Sequence, residues 1–355
     1  MTLPGASRGD AAQHRFGRVG RIPTPTPLPV GDVNSYVVLP VPGSDELTLI
    51  DTGLKSPESF DALRLGLKEH GFALEQIRRI LITHAHMDHY GQARRLREIS
   101  RAPVFASAPE AERMQGFWSP SAQRDERVLA WFRRWGVAPD AMHGDGGIAD
   151  FARRLSDPIE VDGILADGDR IPFGDVTLEV IATPGHCEGH IVFYDRERRL
   201  LFSGDHLLTD ISPVPLLSIP KQAGEPRPRS LIRFLQSLER VEGLEVDLTF
   251  PSHGDVIDDH RRLIAGYRLH HEKRALQMRR ALEAGPRTPF ELATRLFPRH
   301  WSSQIFLVMS EVVGHLDVLV EQGIVVMEET NGVEHARLAA AHPAAQEDVP
   351  CGWPR

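Results

Sequence analysis

From His84 to His89 the chain sets three histidines and one aspartate into six consecutive positions: His84, His86, Asp88 and His89. Imidazoles this close repel one another once protonated, so something must compensate the crowding, and a divalent cation does so. Three more candidates follow at wide spacing: His186 in TPGHCEGH, Asp205 in SGDH and His253 in PSHGD. Five histidines and two aspartates exceed the four ligands of one tetrahedral zinc. They suit two metal ions about 3.5–4 Å apart, bridged by a carboxylate and a water-derived hydroxide. Imidazole and carboxylate ligands without thiolate admit Zn²⁺, Fe or Mn²⁺. Such a pair lowers the pKa of water from about 15.7 to about 7 and polarises a substrate oxygen, the chemistry of hydrolysis at carbonyl or phosphoryl centres. Asp88 can also orient the nucleophile or accept its proton.

The elements that must hold these residues are legible in the hydrophobic pattern. The runs 34–40, 47–53, 77–83, 102–107, 176–183, 190–195, 199–204 and 246–251 read as strands. Four of them, 77–83, 176–183, 199–204 and 246–251, run straight into the candidate ligands. Neighbouring strands of a layered α/β core bring such ends to a common rim, so one site assembled from four loops is expected. Residues 56–71 have the serine cap, first-turn proline and closing glycine of a helix, and a second helix is expected from Tyr90 to about Ser100. The prolines of 22–30 hold that segment extended.

Residues 109–157 break the alternation with Phe117, Trp118, Trp131, Phe132, Trp135 and Phe151, in a chain that is 7% aromatic. The segment reads as an inserted helical lid, with Phe117, Trp118, Trp131 and Trp135 facing an apolar substrate pocket. ISPVPLL (211–217), just after Asp205, reads as a second apolar wall of that cavity. A long polar helix, Asp258 to Ala284, is followed over 287–338 by helices and a short strand pair, the pattern of a small winged-helix-like domain. The expected division is a flexible tail (1–19), a hydrolase domain carrying the lid (20–257), the C-terminal domain (258–340) and a loose tail (341–355).

Composition narrows the function classes. With 355 residues, 41% hydrophobic and 25% charged, the chain reads as an ordinary soluble globular protein. The net charge of −8 argues against a broad polyanion-binding surface. Two cysteines, Cys187 and Cys351, make no disulfide framework. No apolar run approaches a membrane span, and the first residues lack the apolar core of a secretory signal, so a cytoplasmic setting is expected.

THAHMDHYG, TPGHCEGH, SGDH and PSHG, with LIDTG at 49–53, resemble the ordered motifs of the metallo-β-lactamase superfamily over about residues 20–257. The resemblance implies an αββα sandwich with a dinuclear site at one edge. By position it implies His84, His86 and His186 on the first metal, Asp88, His89 and His253 on the second, and Asp205 bridging. Asp51 and His190 fall where groups that fix ligand orientation are expected. Cys187 stands where the family often has Thr or Ser, and the ligand set is complete without it. The C-terminal part resembles the winged-helix-like tail of the β-lactamase-like protein 2 group, some of whose members are endoribonucleases. Residues 286–335, however, carry seven acids against three arginines, the wrong balance for tracking phosphates. A module that buttresses the site, or pairs with a second copy, fits better. The metal motifs are also similar to those of glyoxalase-II-type thioesterases, without their helical tail, and of lactone hydrolases. GDHLLTD lacks the tyrosine usual in enzymes that open acyl-homoserine lactones. The expected activity is two-metal hydrolysis, zinc foremost, of a small ester or thioester with a hydrophobic group. Phosphodiester cleavage and lactone hydrolysis are the alternatives, with no nucleic-acid or membrane partner expected.

Overall fold

The computed structural model describes residues 18–39, 47–116, 122–142, 154–220, 222 and 224–340. Two sheets dominate. The first runs in chain order through β1 (Val19–Thr24), β2 (Val33–Val38), β3 (Leu47–Ile50), β4 (Ile77–Leu81), β5 (Val104–Ser107) and β6 (Gly163–Leu165). Its first three strands are antiparallel neighbours, and β3 to β6 are parallel. The second comprises β7 (Arg170–Phe173), β8 (Val176–Ala182), β9 (Ile191–Asp195), β10 (Leu200–Gly204) and β11 (Leu248–Pro251). It is antiparallel up to β10, which pairs parallel with β11.

β3, β9, β10 and β11 are buried along their whole length and read as largely apolar runs because both faces of each sheet are covered. Tyr36 and Val38 join Phe193, Phe202 and Phe250 in the core between the sheets. Tyr36 meets Phe202 and Phe250 edge-on, at centroid distances of 5.6 and 5.4 Å. Val37 faces the other way, with Leu49 and Ile80, onto α1 (Pro57–Glu69) and α3 (Ala93–Ser100), through Phe60, Leu63, Leu67 and Leu96. On the second sheet Ile181, Val192 and Leu201 turn outward and meet α6 (Ser230–Glu242), α7 (His260–Leu282) and α9 (Ile305–Glu321). Leu231, Phe234, Ile264, Met309 and Val312 complete that third core. The result is the expected αββα sandwich, whose fourth layer draws on the C-terminal helices. Between α7 and α9 lies α8 (Pro289–Leu296), and after α9 the chain closes with the hairpin of β12 (Val325–Thr330) and β13 (Val333–Leu338).

Some elements differ from the pattern-based reading. The helix expected from Tyr90 is two pieces, α2 (Met87–Tyr90) and α3, separated at Gly91 and Gln92. Gln92 turns its amide toward the Gly53 carbonyl and the Thr52 hydroxyl, and its side chain donates to the Leu54 and Ser56 carbonyls. A Cβ at Gly91 would stand 2.5 Å from the Lys55 nitrogen and the Met87 oxygen, so only glycine fits the break. The structure adds α6, whose buried face is the apolar series Leu231, Phe234, Leu235, Leu238 and Val241, and the strands β6 and β7 to the expected elements.

In the segment read as a lid, α4 (Ala108–Gly116) and α5 (Ala122–Arg134) are helical. Phe117, Trp118 and Phe151 lie outside the described residues. Trp135 is 1% exposed, beside Trp131 and Phe132, with the Arg227 guanidinium over its ring. Phe132 stacks on Phe306 of α9, and the Trp135 carbonyl accepts from the Phe290 amide of α8. Trp135 therefore packs into the core shared with the C-terminal helices, while Trp131 is half-buried at its margin. Among the described residues no helix is long and apolar enough to cross a membrane.

Candidate metal centre

The parallel strands deliver their chain ends to one rim, as the connection pattern requires. Asp51 follows β3, His84 and His86 follow β4, Asp205 follows β10 and His253 follows β11, while His186 leaves the end of β8. All seven candidate side chains meet there. His84, His86, His186 and Asp205 form one group whose ligand atoms lie within 4.8 Å of one another, and Asp88, His89 and His253 form a second. His84 Nε2 is 2.9 Å and His186 Nε2 3.1 Å from His86 Nδ1. Nitrogens bound tetrahedrally to one zinc at about 2.0–2.1 Å stand about 3.3 Å apart, so this trio is close to ligating spacing. Asp205 lies between the groups. Its Oδ2 is 3.9 Å from His84 Nε2 and 3.6 Å from His186 Nε2; its Oδ1 is 3.6 Å from His89 Nε2 and 3.7 Å from His253 Nε2.

Four of the five rings have a partner on the far side. Asp51 Oδ2 accepts from His89 Nδ1 at 2.9 Å, leaving Nε2 to face the cluster. The Asp32 carbonyl takes His253 Nδ1–H at 2.8 Å, and the Val214 carbonyl takes His186 Nδ1–H at 3.0 Å. His84 Nδ1 meets the Thr83 hydroxyl, itself bonded to Asp51. His190 bonds the Thr183 hydroxyl through Nδ1 and accepts the Asp205 amide through Nε2 at 3.1 Å. Asp51 and His190 thus sit behind the cluster and bond to its members.

Electrostatics agree with a cation site. Burial drives His84 and His86 well below the usual imidazole range, with neighbouring rings adding to it, and lowers His186 against the pull of Asp205. Neutral imidazole is the ligating form. Burial also works against charge on His89 and His253, yet Asp205 and Asp88 outweigh it and hold both above that range. The same contacts keep Asp88 and Asp205 below the usual carboxylate range despite burial. Two buried carboxylates demand positive charge, and cations supply it more completely than protonated imidazoles. Among the described residues, His89 Nε2, His253 Nε2 and Asp205 Oδ1 are buried without a hydrogen-bond partner, as metal-ligating atoms would be. Cys187 is buried outside both groups, and burial, with Glu110 beside it, keeps its thiol protonated.

Sequence reasoning missed several supports because their signals are not local. The loop 211–217, read as a pocket wall, orients His186 through Val214 and through the Leu216 amide, which donates to the His186 carbonyl. That loop is anchored in turn by Ser310 of α9, whose hydroxyl accepts the Leu217 amide at 3.1 Å. Asn34 of β2 holds the turn around His253 by donating to the Pro251 and Gly254 carbonyls. Tyr267 of α7 both accepts from and donates to the Leu208 backbone in the loop after Asp205.

Comparison with known proteins agrees with this geometry. A family model for the metallo-beta-lactamase superfamily matches residues 28–253. A probable metallo-hydrolase of Bacillus subtilis, YqjP, is 33% identical over 304 residues, 84% of this chain and 91% of that protein. The human acyl-coenzyme A thioesterase MBLAC2 is 32% identical over 181 residues, 46% of this chain and 56% of that protein. The crystal structure of a metallo-beta-lactamase family protein from Thermus thermophilus superposes with a TM-score of 0.76 at 29% identity, covering 92% of this chain and 100% of that one.

Proposed function

The chain belongs to the metallo-β-lactamase superfamily of metal-dependent hydrolases, and from that premise we propose that it hydrolyses a small ester or thioester carrying a hydrophobic group. The observation that carries the reading is Asp205, whose two oxygens face two separate ligand groups. In this reading His84, His86 and His186 would hold one divalent cation and Asp88, His89 and His253 the other, with Asp205 available to both groups. Zinc is the first choice for this donor set. Such a pair, when bound, supplies Lewis-acid polarisation and a water acidic enough to be deprotonated at neutral pH.

The chain's own residues then have defined tasks. Asp51 keeps the His89 proton on Nδ1, and the Asp32 and Val214 carbonyls do the same for His253 and His186. Asp88 presents a buried carboxylate 3.4 Å from His253 Nε2 and is the group to accept the attacking water's proton. His190 holds the backbone of Asp205 in place. The thioester preference is supported by the likeness to the human acyl-coenzyme A thioesterase over about half of this chain.

Zinc-loaded protein assayed against acyl-CoA thioesters, aryl esters, lactones and phosphodiesters tests the reading. Thioester or ester turnover that disappears with a chelator and returns with Zn²⁺ is expected. Phosphodiester turnover with none on the acyl substrates would overturn it.

A further inference from the structure

Glu110 is a buried carboxylate that no motif of the cluster predicts. It sits in the first turn of α4, just after β5, and is 0% exposed. Its Oε2 accepts the Ala85 amide at 2.8 Å, and its Oε1 accepts the Gly189 amide at 2.9 Å. Ala85 lies between His84 and His86; Gly189 lies between His186 and His190. Beside it, the Ser107 hydroxyl donates to the Gly189 carbonyl at 2.6 Å. The junction is too tight for a side chain at Gly189, whose added Cβ would stand 2.5 Å from Ser107 Oγ and 2.8 Å from Glu110 Oε1. Arg113, on the same helix, is buried near the carboxylate; burial opposes its charge, and Glu110 leads the neighbouring groups, Cys187, Glu188 and Glu112, that together outweigh it.

We infer that Glu110 is a positioning residue for one half of the metal centre: a single carboxylate clamping the 84–86 loop to the 186–190 loop, so that His84, His86 and His186 converge. This rests on the metal reading above and adds a division of labour to it. The other group is held differently, with His89 turned by Asp51 and His253 by the Asp32 carbonyl. Loss of the clamp therefore acts on one cation and spares the other.

Glu110→Gln keeps the side chain's size but replaces one acceptor oxygen with an NH₂ group. Whichever way the amide turns, a donor then faces the Ala85 or the Gly189 amide, itself a donor. Outer-shell partners of this kind are worth roughly 10–100-fold in metal affinity.

The test titrates metal-free wild type and Glu110→Gln with Zn²⁺ against a chromophoric chelator, and follows Co²⁺ absorption in parallel. Wild type is expected to take up two ions. In the variant one site should weaken roughly 10–100-fold with altered Co²⁺ bands, the other staying within about threefold. Two ions held equally well by both proteins, or both sites weakened together, would overturn the inference while leaving the metal reading intact. A wild type that takes up no Zn²⁺ would sink both. Should Glu110→Gln fail to fold, Ser107→Ala removes the adjoining bond; it should weaken the same site several-fold, and an unchanged site would count as refutation.

Discussion

Replacing Asp51 by asparagine probes the other half of the centre with little disturbance of the backbone. Asp51 adopts φ 57°, a left-handed conformation that asparagine tolerates better than other residues except glycine. Its carboxylate accepts the Thr83 amide at 2.8 Å, the Thr83 hydroxyl at 2.7 Å, His89 Nδ1 at 2.9 Å and the Ser252 hydroxyl at 3.4 Å. An amide cannot satisfy this set. With NH₂ in the Oδ1 place, the buried Thr83 N–H loses its acceptor, at a cost of about 1–3 kcal/mol in stability. With NH₂ in the Oδ2 place, His89 Nδ1 must accept, its proton moves to Nε2, and the lone pair facing the cluster is lost. Affinity at the Asp88, His89 and His253 group should then fall about 10–100-fold, or about 1.4–2.8 kcal/mol. The His84, His86 and His186 group, which Asp51 reaches only through Thr83 and His84 Nδ1, should lose less, the reverse of the Glu110→Gln pattern. A competitive Zn²⁺ titration measures this, with thermal unfolding as the control for folding. Retention of both ions within about twofold, or loss at the His84 group instead, would refute the reasoning.

Other perturbations reach different parts of the molecule. Chelation should abolish hydrolysis and lower the melting temperature, because Asp88 and Asp205 are left buried with only imidazoles for charge; adding Zn²⁺ should restore both, as a melting curve and a rate assay would show. Trp135→Ala should cost about 3–5 kcal/mol of stability, as for a large ring removed from a core. Measured by denaturant unfolding alongside kinetics, it should leave the substrate preference of the folded fraction unchanged; a changed preference would place that ring at the pocket instead. Glu311 offers a pH test. Burial opposes its ionisation, but His270, His315, His271 and Arg274 outweigh it and pull the carboxyl from 4.5 to about 2. A depressed carboxyl stabilises the fold above the unfolded value and loses that contribution as pH falls from 4.5 toward 2. At about 1.4 kcal/mol per unit this is up to about 3 kcal/mol. The stability gap between wild type and Glu311→Gln should be full above about pH 4.5 and close below it, which urea melts across that range would show.

The chain's one-dimensional pattern carried a layered α/β core and the roster of candidate side chains, and the likeness of its motifs to a known family supplied the αββα order. Strands buried on both faces must be continuous apolar runs, and groups needed at a rim must follow them directly. His84, His86, Asp88 and His89 after β4, Asp205 after β10 and His253 after β11 are therefore visible without coordinates. Beyond Asp51 and His190, what orients those rings is not visible. The Asp32, Val214 and Gly189 backbones, Ser310 and Glu110 act through hydrogen bonds between segments as far apart as 221 residues, and nothing about their own neighbours in sequence marks them. Glu110 in particular stands in an ordinary acidic first turn of a helix. Only the packing of α4 against two ligand loops removes it from water and gives its carboxylate two amides to hold. Trp135 shows the converse: its aromatic neighbourhood suggested a pocket, whereas an apolar ring reads the same in sequence whether it faces a ligand or a core. The tertiary structure decided between them by bringing α8 and α9 against it, because the outer face of the second sheet had to be covered.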